Sequence, residues 1–155
     1  MEGRCTCGKV RYRLKDRPII VHCCHCRWCQ RESGASFALN AVIEADNVEL
    51  LGEAPERVEL PSQSGKGQSS MRCPECKVSV WGHYHVGPGD KACFIRVGTL
   101  ENPDLCPPDV HIYTDSKQPW VTLSGDTPPY PGFYPGRDIP GLYGEERAAR
   151  MKALR

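Results

Sequence analysis

Along residues 9–14 (K-V-R-Y-R-L) apolar and charged side chains alternate strictly. Val10, Tyr12 and Leu14 fall on one side and Lys9, Arg11 and Arg13 on the other. A period of two marks a strand with one buried face. Apolar runs at 19–23 and 36–43 predict two further strands. Shorter runs at 48–51 and 57–60 predict two more, parted by Gly52 and Pro55. Val78, Val80 and Tyr84 place a strand after Cys76, residues 92–97 form one closed by Gly98, and 110–114 form the last. Residues 30–34 (Q-R-E-S-G) suit a single helical turn capped by Gly34. No stretch before the C-terminal end holds a helical period over twelve residues. The predicted class is therefore mostly β, a small fold of antiparallel sheets with short helical turns.

Two segments break the pattern. Residues 61–70 (P-S-Q-S-G-K-G-Q-S-S) carry nothing apolar to bury and read as a mobile loop, long enough to be a lid or simply a long hairpin connection. After Gly125 comes P-P-Y-P-G-F-Y-P-G at 128–136, which cannot join a central strand because each proline removes a donor. It is expected to wrap the surface, anchored by Tyr130, Phe133 and Tyr134. Residues 145–154 suit a short terminal helix of marginal stability. The expected organisation is a domain at 1–125 and a Pro/Gly-rich tail with a short helix at 126–155.

Length and charge narrow the function. A chain of 155 residues supports one modest core. A formal charge of +1 leaves no electrostatic footprint for nucleic acid or an anionic membrane. The sequence has no 18-residue apolar run, and its first residues, M-E-G-R-C, have no apolar stretch of the secretory kind. The expected location is the cytoplasm. In that reducing setting, ten cysteines point to metal rather than to disulfides.

Their spacing agrees. Cys5 and Cys7, then Cys73 and Cys76, form two turn-sized pairs in C-x-C and C-x-x-C form, while Cys24, Cys26 and Cys29 form C-x-C-x-x-C. A knuckle turn aims backbone N–H groups at its sulfurs, and two knuckles together complete a closed tetrahedral zinc site. Cys5, Cys7, Cys73 and Cys76 are read as that structural site. Cys24, Cys26 and Cys29 leave a tetrahedral ion one ligand short, and two readings stay open. In one, His22, His25, His83 or His85 completes a second structural zinc. In the other, the fourth position is free for a thiol. Three thiolates already neutralise the ion's charge, which favours holding an incoming thiolate over activating water. Cys23, Cys93 and Cys106 are left as buried thiols.

Other residues are candidates on weaker grounds. Arg27, Arg31 and Lys66 are read as cations that could bind the carboxylates of a ligand, against the reading of ordinary solvated charge. His83 and His85 share one strand face, with Tyr84 on the other, as acid/base candidates or plain hydrogen-bonded strand residues. Trp28 either packs under the metal loop or lines a pocket, and residues 33–36 offer N–H groups to an oxyanion or form a plain turn.

The motifs resemble a known family, the glutathione-dependent formaldehyde-activating enzyme-like proteins, which include centromere protein V. The matching pieces are C-T-C-G-K-V-R-Y at 5–12, C-H-C-R-W-C-Q-R-E-S-G-A-S-F at 24–37, C-P-E-C at 73–76, V-G-T-L-E-N-P at 97–103 and H-I-Y-T-D-S-K-Q-P-W at 111–120. The resemblance implies a tent-like β fold holding two zinc ions per chain. Cys5, Cys7, Cys73 and Cys76 match the structural ligands, and Cys24, Cys26 and Cys29 match the catalytic ones. His111 and Trp120 fall in a family motif whose expected role is packing. The implied activity is that of a carbon–sulfur lyase, joining glutathione to formaldehyde as S-(hydroxymethyl)glutathione or releasing it. Its implied partners are a small thiol and a small electrophile, with the protein a monomer or homodimer. A related pathway intermediate as substrate, a zinc scaffold for a protein partner, and a zinc chaperone or sensor with a labile three-cysteine site are the alternatives. Two departures bear on substrate identity: Lys77 stands where the family has Gly after the second knuckle, and Met71-Arg72 replace an aromatic before it.

Overall fold

Two sheets carry the chain in the computed structural model, which describes residues 1–154. The first elements are β1 (Glu2–Arg4), β2 (Arg11–Leu14), β3 (Ile20–Cys24), α1 (Arg27–Ser33), β4 (Ala38–Glu44) and β5 (Val48–Leu50). They are followed by β6 (Glu56–Leu60), β7 (Gln68–Arg72), β8 (Ser79–Tyr84), β9 (Ala92–Arg96), β10 (Val110–Ile112) and α2 (Ile139–Ala153). The small sheet has the order β1-β2-β5 and the large one β10-β3-β4-β9-β8-β7-β6. The fold is mostly β, as the alternation predicts.

Every strand pair is antiparallel except β10 beside β3, where His111 lies opposite Cys23 and Ile112 opposite Cys24. A parallel neighbour needs a crossover, here supplied by the irregular stretch after β9. Asp109 pins its end: its N–H donates to the Val21 carbonyl at 2.9 Å, and its Oδ2 accepts from the Val21 N–H at 2.8 Å.

The large sheet is buried on both faces, and period two sorts its residues between two cores. Val21, Ala41, Ile43, Trp81 and Ile95 pack toward Val10, Tyr12 and Leu14 of the small-sheet side. Ile20, Cys24, Ala38, Val42, Val110 and Ile112 face the other way and pack with Tyr134, Tyr143 and Met151 from the tail.

The structure refines two segments. Of the two readings of residues 61–70, the hairpin connection is the one formed, and it is shorter than expected because Gln68, Ser69 and Ser70 already belong to strand β7 and are buried. They bury through polar bonds in place of apolar ones. Ser69 Oγ donates to Glu59, Ser70 Oγ and Ser79 Oγ lie 2.8 Å apart, and Gln68 Nε2 donates to Glu32 at 2.9 Å. Helix α2 kinks at Gly144 (φ 73°); the part after the kink, to Ala153, is the terminal helix expected at residues 145–154, and a short helical stretch from Ile139 with a proline in its first turn precedes it. Tertiary contacts supply what propensity lacks. Tyr143 and Met151 are buried, and the Arg150 guanidinium grips both Glu44 oxygens at 2.7 and 2.6 Å.

Candidate active site

Two knuckles of the same design face each other at the edge of the small sheet. Gly8 N–H donates to Cys5 O and Lys77 N–H to Cys73 O, and both residues are left-handed, with φ of 78° and 61°. Lys77 is a non-glycine residue in this left-handed position. Cys5 Sγ and Cys7 Sγ lie 3.5 Å apart, Cys7 Sγ and Cys73 Sγ 3.6 Å, and all four sulfurs fall within 4.8 Å of one another. A zinc ion with Zn–S bonds of about 2.3 Å requires sulfur–sulfur edges of about 3.8 Å, so the donor set fits a metal ion. Backbone N–H groups of Cys7 and Val78 stabilise the Cys76 thiolate and draw its pKa down to about 6.

The second cysteine group is assembled by three local devices. Strand β3 is buried end to end, and alternation turns His22 and Cys24 to one face and Cys23 to the other. Cys26 is the N-cap of α1, its sulfur accepting the Cys29 N–H at 3.3 Å. Cys29 lies on the buried side of that helix, which ends at a left-handed Gly34. The expected single turn at 30–34 is thus the second half of a longer helix that starts inside the cysteine loop. The Gln30 amide fastens it by donating to His25 O at 2.7 Å and Ser116 O at 3.0 Å.

All three sulfurs are buried and lie within 4.8 Å of one another. Hydrogen bonds from Cys24 and Cys29 hold the Cys26 thiol down at about 3, while the same sharing pushes Cys24 far up. No fourth His, Cys, Asp or Glu joins it among the described residues. The four histidines named for that role are engaged elsewhere. His22 Nε2 meets Tyr134 Oη at 2.8 Å, His83 Nδ1 donates to Ala92 O, and His85 binds Ser69 and Lys66 O. His25 turns away to a third group with Cys23 and His111, on the reverse face of β3.

Tyr84, on the strand face opposite His83 and His85, points its hydroxyl toward Cys29 Sγ at 3.9 Å. Burial raises its pKa well above the ordinary value of 10.0 and keeps it protonated. Behind it lies a buried ion pair that the sequence did not single out, with Arg96 Nη2 2.6 Å from Glu32 Oε1. This pair ties α1 to β9. Hydropathy could not reveal it, because a charged residue in a buried strand looks like one facing solvent.

The three sulfurs open onto a cavity of about 360 Å³. Val42, Phe94, Ile112 and Tyr113 form its sheet side, Trp28 its helix side, and Phe133, Tyr134, Tyr143 and Met151 its tail side. No Lys, Arg, Asp or Glu lines it among the described residues. Burial lowers His22 to about 3, so that wall residue is neutral. Arg27 and Arg31 lie on the exposed side of α1, Arg27 bonded to Gln30 and Arg31 5.8 Å over the Trp28 ring. Lys66 is exposed in the β6–β7 turn. None of the three lines the cavity.

Comparison with known proteins gives this geometry a context. The family described as "Glutathione-dependent formaldehyde-activating enzyme" matches residues 1–116. A Halomonas elongata protein named "Putative glutathione-dependent formaldehyde-activating enzyme" is 26% identical over 129 residues, which cover 79% of this chain and 80% of that one. Among solved structures, a Rhodobacter sphaeroides protein is similar with a TM-score of 0.49 and 19% identity, over 70% of this chain and 97% of the other.

Proposed function

Because the chain belongs to the glutathione-dependent formaldehyde-activating enzyme family, we propose that it is a zinc-dependent enzyme of the carbon–sulfur lyase type. It binds a thiol, glutathione, beside Cys24, Cys26 and Cys29 and joins it to a small carbonyl compound, or releases it in the reverse direction. The observation that carries this reading is three buried sulfurs with no fourth ligand, open to a cavity.

Cys5, Cys7, Cys73 and Cys76 would hold a structural zinc, and Cys24, Cys26 and Cys29 a catalytic one. When bound there, zinc supplies a position at which an incoming thiol is held as thiolate at neutral pH. The chain's own groups do the rest. Residues Val42 and Phe94 keep water from the sulfurs. The Tyr84 hydroxyl, 3.9 Å from Cys29 Sγ, is placed to donate to the carbonyl oxygen as charge gathers on it. The new bond joins sulfur to the carbonyl carbon, and the thiol proton ends on the carbonyl oxygen. Much of the rate gain comes from holding the two reactants together. Arg27 and Arg31, on the outer side of α1, offer guanidinium groups to glutathione's carboxylates. A cytoplasmic protein whose partners are small molecules, with no nucleic acid or membrane partner, follows from the charge and from the reducing conditions that free thiols need.

Cys26→Ala tests the assignment. The variant is expected to fold, keep about one zinc per chain and lose turnover, measured by metal analysis and by thiol-adduct formation. Full activity in the folded variant would sink it.

A further inference from the structure

The cavity matches neither family substrate. Formaldehyde has two heavy atoms, yet about 360 Å³ lies within the roughly 300–1,000 Å³ range of sites that enclose a much larger organic ligand. Glutathione has the bulk but carries two carboxylates and an ammonium group. No charged side chain lines the cavity among the described residues, so those charges would find no counter-charge there. Asn40, Gln68 and residues 62–64 give one polar stretch of wall, and most of the rest is aromatic and aliphatic, including Phe94, Ile112, Phe133, Tyr134, Tyr143 and Met151.

The last four of these belong to the tail, beyond residue 116 where the family match ends. They are held by specific contacts. Tyr134 Oη bonds His22 at 2.8 Å and also meets Tyr143 Oη, and Arg150 locks α2 to Glu44 at the end of β4. One side of the site is therefore built by a segment outside the matched region.

We propose that the cavity holds the uncharged, apolar substituent of an aromatic or branched aliphatic aldehyde, and that tail residues Phe133, Tyr134, Tyr143 and Met151 select it. The inference rests on the carbon–sulfur reading above. Glutathione reaches the sulfurs with its thiol and keeps its charged ends at the rim, where Arg31 stacks on Trp28. The balance is unchanged: sulfur bonds the aldehyde carbon, and the thiol proton moves to its oxygen.

The test uses the zinc-loaded full chain and two readouts. Calorimetric titration with 2-phenylethanol, which lacks a carbonyl, measures occupancy without turnover. Adduct formation from glutathione with phenylacetaldehyde or with formaldehyde measures preference. Expected are one bound 2-phenylethanol per chain and at least tenfold higher kcat/KM for phenylacetaldehyde. Phe133→Asp, at a wall residue that is 53% exposed and so tolerant of substitution, should keep its zinc and melting midpoint. It should weaken 2-phenylethanol at least tenfold and raise KM for phenylacetaldehyde. No binding of 2-phenylethanol, indifference to Phe133→Asp, or a preference for formaldehyde overturns the proposal while leaving the carbon–sulfur reading intact. Phe133-dependent binding without adducts from either aldehyde supports the apolar site and defeats the reaction instead.

Discussion

Serine replacements at Cys73 and at Cys26 separate the two cysteine groups by what each does for the fold. Both side chains are almost fully buried, at 0% and 3% exposure, so the desolvation of the new hydroxyl is similar. Serine at position 26 also keeps an N-cap for α1. What differs is the chain each metal closes. A bridge from Cys7 to Cys73 spans 66 residues, and one from Cys24 to Cys29 spans five. Loop-closure entropy scales as (3/2)RT ln n, so the ratio of these spans is worth about 2 kcal/mol. Each variant is expected to lose the zinc of its altered site and keep the other, so in zinc-containing buffer Cys73→Ser is expected to be less stable than Cys26→Ser by that margin, or by about 6 °C in melting midpoint for a chain this size. Urea unfolding followed by tryptophan fluorescence reads it, since Trp81 is buried edge-on to Tyr12 in the core that includes Cys73. With a strong chelator present neither loop is closed, and the two variants should converge. Equal stabilities in the zinc-containing buffer, or Cys26→Ser the weaker, would refute the reasoning.

Lys77→Gly removes a side chain from a left-handed position at φ 61°, where a non-glycine residue costs on the order of 1 kcal/mol. The variant also gives up the exposed Lys77–Glu56 ion pair, worth only a few tenths of a kcal/mol. A net gain of about 0.5 kcal/mol in unfolding free energy, read by urea titration, is expected, and a loss would mean the knuckle is not strained. Arg150→Met leaves Glu44 without its main partner and should cost about 2 kcal/mol near neutral pH, read by the same unfolding assay. Hydrogen bonding to Arg150 holds the Glu44 carboxyl below its ordinary value of 4.5. Its stabilisation is therefore complete above that pH and is lost as pH falls through the lowered value. The gap between wild type and Arg150→Met should stay constant from pH 7 to about 5 and close in stronger acid. A gap unchanged at the acid end would show that the pair is not its source.

The cysteine groupings were legible because each is built from local pieces. Cys24, Cys26 and Cys29 span six positions, and a strand end followed by a helix cap brings three sulfurs together with little help from the remaining chain. The two knuckles could be paired on paper because each supplies half a tetrahedron. Strands rich in alternation, such as Arg11–Leu14, were legible for the same short-range reason. Gln68–Arg72 was not, because its burial rests on partners at Glu32, Glu59 and Ser79 that hydropathy cannot see. Tyr84 was placed opposite the histidines by period two, but nothing local showed that this face meets Cys29.

The sequence by itself determined which cysteines can hold metal, that four of them suffice for one group while three make up another, and that the body is β. Those properties depend on covalent spacing and on a two-residue period, which operate over a few residues. Only the tertiary structure decided what surrounds the incomplete group. The tail reads as a surface wrap because its prolines and glycines forbid regular pairing, yet Tyr134, Tyr143 and Met151 are buried against β3, β4 and β10. Their side chains meet the sulfurs across more than a hundred residues of chain. Contacts at that range follow from how the sheet's second face is covered, which no local pattern encodes.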